Sequence, residues 1–529
     1  MPSRSRNWRL IALCFVVSFT IVNNSIHAAD TPVEPTWIPG YVIIHGGSDL
    51  PAPMLDTFVK LSGGTAAKIV YVVAESNSAD DAMLLGPFQK LGAASLNVLR
   101  LSDKKETTSA KAEFPALKEA TGVWLGESTP ATPKEFANEL REIIARKGVV
   151  AGSGVGAAFL AEYGVRLGEK TGMQCKGICL LPSSIVELKA SKGNDNDDLL
   201  SMLKTYPSRV GFGIGENATL MVHERSVFAS GAEVNICLAA GNGRPAREER
   251  LAPGARADLI ALQRSAIART LPAFPPAKPN APELSAGTLV IDGGGFPRVA
   301  AERFVQASGG PDALILVIPT AIGDEPPPGL GEGRRLQAAG AKNLKIFHLA
   351  TRAEAFDEEK IKIIREAKGI WFCGGRQWRY VDRYLDTPAE KLMHELLARG
   401  GAIGGSSAGA TIQGDYLVRG SPLGNTQMMA EGYERGMGFL KGVAIDQHFV
   451  KRNRFADMTE LKAAFPQLLG LGIDEGAALV VTGHTLEVIG VGQVCIYDKA
   501  TAVAKGETDY VPVKAGEKYD LKALAKVEK

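Results

Sequence analysis

The sequence predicts an α/β protein of two tandem three-layer domains, each a mostly parallel sheet covered on both faces by helices. Three observations predict it: an internal repeat, short β-branched runs alternating with capped helices, and a proline-rich stretch near the middle. The repeat comes first. Phe58-Val59-Lys60-Leu61-Ser62-Gly63-Gly64 recurs as Phe304-Val305-Gln306-Ala307-Ser308-Gly309-Gly310. Gly122-Val123-Trp124 recurs as Gly369-Ile370-Trp371, and Thr132-Pro133-Lys134-Glu135 as Thr387-Pro388-Ala389-Glu390. Gly211-Phe212-Gly213-Ile214 recurs as Gly470-Leu471-Gly472-Ile473. The order is kept and the spacing drifts little, so one fold is expected twice.

Each element has a local cause. Val42 to Gly47 and Leu289 to Gly295 are apolar strands running into glycines, and Ile69 to Val73 and Ile315 to Ile318 are β-branched runs. Thr387 suits an N-cap, Pro388 the first helical position and Glu390 a capping box. The helix so opened puts Leu392, Met393, Leu396 and Leu397 on one face and stops at Gly400-Gly401. Strands alternating with such helices indicate βαβ units. Leu271 to Pro282 is too rich in proline for a helix or sheet interior and reads as an extended connection.

The boundaries expected are residues 1–29, 37–250 for the first domain, 251–283 for a Pro/Ala-rich linker, 284–500 for the second domain, and 501–529 for an unassigned tail. Arg4, Arg6 and Arg9 precede the apolar run Leu10 to Val22, and Ala28 and Ala29 follow. That order predicts a cleaved signal peptide and a secreted or periplasmic protein. The run falls short of the ~20 apolar residues of a spanning helix, so no membrane attachment is expected after cleavage.

Removing three arginines and no acids takes the formal charge from +2 to −1, since 2 − 3 = −1. A near-neutral chain with no basic block has no electrostatic footprint for nucleic acid. Of six cysteines, Cys14 leaves with the signal peptide. The odd number left, mostly in apolar runs, suits core packing better than a zinc site or a disulfide framework. No metal is therefore expected, and no cofactor either, since Gly404 to Gly409 lacks the G-x-G-x-x-G register of a dinucleotide turn.

The chemistry concentrates in the second copy. Gly405-x-Ser407-x-Gly409 is a strand-to-helix turn whose small neighbours let a serine occupy an exposed, strained position. The N–H of Ala408 would then face a developing oxyanion. The turn alone is equally compatible with a glycine-rich approach to a phosphate. A serine nucleophile needs a base, and the chain has seven histidines. His448 stands out, because Ile445-Asp446-Gln447-His448-Phe449 ends an apolar strand and Lys451, Arg452 and Arg454 follow. Gly472-Ile473-Asp474-Glu475-Gly476 offers an acid to orient its imidazole. Gly374-Gly375-Arg376-Gln377 offers backbone N–H groups and an amide to an oxyanion or a substrate.

These four blocks, in this order, resemble the cyanophycinase and dipeptidase E family of serine peptidases, from about Gly287 to Tyr497. The resemblance implies a class I glutamine-amidotransferase-like fold and a triad of Ser407, His448 and Glu475. It implies that Gln377, Asp446, Gln447, Arg452 and Arg454 bind a peptide of β-linked aspartyl-arginine type, beside an oxyanion site expected at the N–H groups of Gly375 and Ala408. Two positions depart from the family. Arg376 stands where the family has aspartate, and Asp457 where it has a third arginine. Both charges are reversed, which alters the expected specificity. A non-cleaving peptide- or polymer-binding protein and a dipeptidase E-like aspartyl dipeptidase are the alternatives.

In the first copy Gly154 stands where Ser407 does. Leu181-Pro182-Ser183 falls opposite Asp446-Gln447-His448, after the shared Lys-Gly pair, Lys176-Gly177 and Lys441-Gly442. Glu127-Ser128-Thr129-Pro130 replaces the Gly-Gly-Arg-Gln block, and only Glu216 survives, opposite Glu475. The first copy is therefore expected to be catalytically dead. It is expected to pack on the second as an intramolecular pseudo-dimer through an apolar face.

Overall fold

The computed structural model describes residues 35, 37–74, 79–101, 114–126, 134–166, 173–189, 197–498 and 508–528. The expected signal peptide, the Glu127 to Pro130 block and Thr132-Pro133 lie outside them. Among the described residues no helix is long and apolar enough to cross a membrane.

Val42, Ile43 and Ile44 are fully buried, as are Leu289, Val290 and Ile291. Strands apolar on both faces belong at the centre of a covered sheet, and both sit there. The first sheet runs Arg256–Asp258, Ser226–Ser230, Thr219–Glu224, Ile38–His45, Val149–Ser153, Gly122–Leu125, Lys68–Ala74, Ser95–Leu101. In the second half the order is Ala525–Lys526, Lys518–Asp520, Thr485–Gly490, Ala477–Thr482, Thr288–Asp292, Ala402–Ser406, Gly369–Phe372, Ile315–Ile318, Leu344–Ile346. From Ser226–Ser230 and Thr485–Gly490 onward the two orders coincide strand for strand. The sheets are mixed: a parallel block is extended on one side by antiparallel hairpins.

Each half adds a smaller sheet. One is Arg247–Leu251, Val234–Leu238, Val210–Gly215, Leu181–Lys189, Ala161–Arg166, Met173–Lys176; the other is Val511–Lys514, Gln493–Tyr497, Leu469–Ile473, Leu440–Gln447, Gly414–Tyr416. Leu469–Ile473 and Leu440–Gln447 run parallel and lead into the Glu475 and His448 segments. The helix Pro388–Ala398 is capped by Thr387 and buries Leu392, Met393, Leu396 and Leu397. The Glu390 carboxylate reaches the N–H of Asp386 rather than that of the cap itself.

Three sequence expectations are corrected. The linker begins later than 251, because Arg256–Asp258 is a strand of the first sheet and Leu259–Ala268 a helix capped by Asp258. Leu259, Leu262 and Ala266 repeat at helical spacing and are buried, which outweighs the neighbouring prolines. The second domain extends beyond 500 into the tail, since Val511–Lys514 and Lys518–Asp520 pair with Gln493–Tyr497 and Thr485–Gly490. Val513, Tyr519 and Leu521 supply the buried side chains that its lysines and glutamates obscure.

The third correction concerns the alignment of the copies. Tyr163 pairs with Ile185 and Ile185 with Gly211, while Tyr416 pairs with Ala444 and Ala444 with Gly470. Ile185 therefore matches Ala444, so Glu187 matches Asp446 and Lys189 matches His448. Ser183, at φ 54°, falls opposite Gly442, at φ 68°, and not opposite His448. The second copy has two basic-glycine pairs, Arg435-Gly436 and Lys441-Gly442, and the first of them is the counterpart of Lys176-Gly177.

The halves meet on a seam that carries paired charges where an apolar face is expected. Arg225, at the turn between two first-half strands, bonds Asp258 of its own half, Asp382 at 2.9 Å and the Tyr433 hydroxyl at 3.0 Å. Its guanidinium also lies 4.0 Å from the centre of the Trp378 ring. Arg264 bonds Asp382 at 2.8 Å, and Arg244 and Arg269 bond Glu431. Charges buried in such a seam persist because each is paired.

Candidate active site

Three strand ends converge. Ser407 follows Ala402–Ser406, His448 follows Leu440–Gln447, and Glu475 lies two residues after Leu469–Ile473. The serine strand belongs to the larger sheet of this half and the other two to the smaller one, so the site forms where strand ends of the two sheets meet. Ser407 sits at φ 54°, ψ −112°, sparsely populated backbone for a residue with a Cβ. Its N–H is held by the Asp292 carbonyl at 3.1 Å. The turn is tight enough that a Cβ on Gly409 would lie 2.0 Å from the Phe372 carbonyl oxygen. Only glycine fits there, which explains the small residues around the serine.

The side chains form a relay. Ser407 Oγ is 2.9 Å from His448 Nε2, and His448 Nδ1 is 2.7 Å from Glu475 Oε1. Because the carboxylate accepts, Nδ1 carries the proton and Nε2 is left to accept from the hydroxyl. His448 is itself at φ 53°, its N–H donating to the Gly293 carbonyl at 2.8 Å. Burial and then the charge of Arg452 push its pKa below the ordinary 6.5, against the pull of Glu475. Lys451, bonded to the other oxygen of Glu475, and then His448 hold that carboxyl below the usual range. A neutral imidazole beside an ionised carboxylate is the state in which a base can take the serine proton.

The oxyanion side is formed by two segments. Ala408 opens the helix Ala408–Thr411, and a first helical N–H has no intrahelical acceptor. Across from it, Cys373 donates to the Ile318 carbonyl, Gly374 to Glu332 and Arg376 to the Ala321 carbonyl. The N–H of Gly375 has no acceptor among the described residues. Gly375 adopts φ 141°, and a Cβ there would lie 2.4 Å from the Ala321 carbonyl oxygen.

The remaining sequence-predicted residues divide by burial. Arg376 and Arg452 are exposed. Gln377 is buried and donates its amide to the Val418 carbonyl at 3.0 Å. Asp446 is fully buried, with its oxygens taken by Arg454 at 2.7 Å and by Arg419 at 3.0–3.2 Å. Gln447 is buried beside it. Asp446, Gln377 and Arg454 each have a hydrogen-bond partner within the protein, as buried charged and amide groups require. Asp457 bonds the same Arg419. No local sequence pattern marks Arg419, Glu332 or Asp292 as part of the site. Asp292 lies under the site, accepting from Gly294 and Phe296, and burial raises its pKa to about 6.

A serine on a strained strand-to-helix turn, bonded to a histidine that a carboxylate orients, on an α/β scaffold, defines a serine hydrolase. Residues 289–489 match the model of peptidase family S51. Over 200 residues the chain is 32% identical to a cyanophycinase of Geminocystis herdmanii, covering 37% of this chain and 74% of that protein. It is 32% identical over 220 residues to a cyanophycinase of Thermosynechococcus vestitus, covering 40% and 68%. A solved peptidase structure from an acI-B1 Actinobacterium is 22% identical and covers 44% of this chain and 97% of its own, with a TM-score of 0.35. The chain belongs to peptidase family S51, together with the cyanophycinases, and is a serine-type peptidase.

Proposed function

We propose that the protein is an exported peptidase of cyanophycinase type that hydrolyses aspartyl peptide bonds, in cyanophycin or related α- or β-aspartyl peptides, through an acyl-enzyme on Ser407. The observation that carries this reading is the unbroken relay of 2.9 and 2.7 Å from Ser407 through His448 to Glu475. Ser407 Oγ attacks the scissile carbonyl carbon while His448 Nε2 takes its proton. The N–H groups of Gly375 and Ala408 receive the oxyanion. Collapse expels the amine, protonated by His448, and water then releases the acyl group by the same route.

The aspartyl substrate class is supported by the relatives named cyanophycinase and by two exposed cations near the reacting groups. Arg452 lies close enough to His448 to depress its pKa, and Arg376 adjoins Gly375. Arg376 in place of the family's aspartate favours a substrate with an anionic group at that subsite. The first half has glycine where the nucleophile stands and a buried Lys189–Glu187 pair, 4.0 Å apart, where His448 and Asp446 stand. It is read as a non-catalytic partner domain that covers the second half as an intramolecular pseudo-dimer.

The test incubates purified mature protein with cyanophycin and a panel of α- and β-aspartyl dipeptides, and identifies products by mass. Cleavage beside aspartate that vanishes in Ser407→Ala is the expected result. Cleavage of none of them, or cleavage unchanged in Ser407→Ala, would overturn the reading.

A further inference from the structure

Glu332 precedes the short helix Gly333–Ala338, yet its carboxylate does not cap that helix. It turns instead toward the strand Gly369–Phe372. Oε2 accepts the indole N–H of Trp371 at 2.9 Å, and Oε1 accepts the backbone N–H of Gly374 at 2.8 Å. Trp371 is a rigid anchor, fully buried, stacked on Phe296 at 4.1 Å and met edge-on by Phe304 at 5.0 Å. Gly374 is not an arbitrary neighbour: a Cβ placed on it would lie 3.3 Å from Ser407 Cβ. One carboxylate thus ties the loop beside the nucleophile to the aromatic core.

We infer that Glu332 is a positioning residue, which fixes the Gly374–Gly375 turn so that the Gly375 N–H, and not that of Gly374, faces the reacting carbonyl. The inference rests on the proposed roles of Ser407 and Gly375. Three of the four successive amides from Cys373 to Arg376 are anchored, on Ile318, Glu332 and Ala321, and Glu332 is the only side chain among the three acceptors. Without it the Gly374 amide would lack its acceptor, and two adjacent glycines have ample freedom to turn. Burial raises the carboxyl's pKa, although the Trp371 and Gly374 bonds oppose that rise. A partly buried carboxyl with a use for both oxygens is retained against its desolvation.

The sister half supplies a control. Its matching indole, Trp124, is kept and buried, but donates to the Ser153 hydroxyl at 3.3 Å. A carboxylate holds this indole in the half that has the serine, and a neighbouring hydroxyl holds it in the half that has Gly154.

The test is steady-state hydrolysis of p-nitrophenyl acetate by the full-length protein, with Glu332→Gln and Glu332→Met beside wild type and Ser407→Ala. Both substitutions keep the side chain's length; the first leaves one oxygen acceptor and the second only a weakly accepting thioether sulfur. Loss of a whole oxyanion donor costs about 100- to 1000-fold in kcat, so misplacing one should cost roughly tenfold or more in Glu332→Gln. The loss should be larger in Glu332→Met, with KM within about threefold in both. Affinity for a boronic acid, whose tetrahedral adduct occupies the same donors, should fall in parallel with kcat. A folded Glu332 variant that keeps more than about half of wild-type kcat, or that changes KM alone, overturns the inference. Ester hydrolysis that survives in Ser407→Ala would instead overturn the nucleophile assignment beneath it.

Discussion

Gly154 and Ser407 share a positive backbone φ: each stands at φ 54° directly after the strand that lies beside the first strand of its sheet. Glycine adopts that conformation at no steric cost, whereas for serine it stores about 1–3 kcal/mol. The half with glycine is relaxed at this turn, and the half with serine holds the strain where the hydroxyl must project. Ser407→Gly should therefore abolish hydrolysis while leaving the melting temperature unchanged or raised. A melting temperature lowered by several degrees, or measurable turnover, would contradict this account.

His448→Ala should reduce kcat/KM by several orders of magnitude, since members of a triad act as a unit. Its effect on thermal stability should be small, because the ring is held by Ser407 and Glu475 and not by core packing. More than about a tenth of wild-type activity in this variant would remove His448 from the role of base.

The pH profile should have an acid limb below 6.5, because burial and Arg452 disfavour the imidazolium. The sign follows from the base being the neutral form: activity rises as pH climbs through the His448 pKa. Arg452→Gln removes a repelling charge, so the imidazolium is less disfavoured and the limb should move to higher pH. A limb that stays in place would mean that Arg452 does not act on His448 through its charge.

Much of the site was legible because its chemistry demands rare local patterns. A serine between glycines at a strand exit, a histidine after Asp-Gln and a glutamate after Gly-Ile-Asp each end an apolar strand, and the structure brings the three together. What was not legible depends on long-range pairing. Nothing local says that Arg419 reaches 27 residues to Asp446, or that Glu332 reaches 42 residues to Gly374. Sequence matching places the first copy six residues out of register, because a basic-glycine pair occurs twice in the second copy at that spacing. Strand pairing decides between them, and a dipeptide cannot.

The two charge reversals should behave differently. Arg376 is exposed, so Arg376→Asp should leave stability unchanged while raising kcat/KM on cyanophycin relative to other aspartyl peptides. Asp457 is partly exposed and bonds the buried Arg419, so Asp457→Arg sets a second cation against a guanidinium already beside Arg454. It should lower the melting temperature whatever it does to specificity. Equal stability of the two variants would show that the Asp457–Arg419 pair carries little weight.

The seam between the halves gives the last prediction. Arg225 is buried and holds two carboxylates, Asp258 in its own half and Asp382 in the other, while covering Trp378. Trp378 and Asp382 lie on the helix Gln377–Tyr384, which starts two residues after Gly375. Arg225→Ala leaves both carboxylates short of a partner in a dry interior, a defect that costs about 3–5 kcal/mol when a buried pair is broken. Asp382 keeps its bonds to Arg264 and Tyr433, so the loss should fall at the lower end of that range. The second half expressed alone from Pro282 loses Arg225, Arg244, Arg264 and Arg269 together, and exposes Asp382, Glu431 and Trp378 at once. A patch of unpaired acids around an uncovered aromatic should drive it to dimerise or aggregate, with impaired hydrolysis. Light scattering and kinetics of the isolated half decide the matter. A monodisperse, fully active monomer would mean that the first half is a separate module and not the missing side of the second.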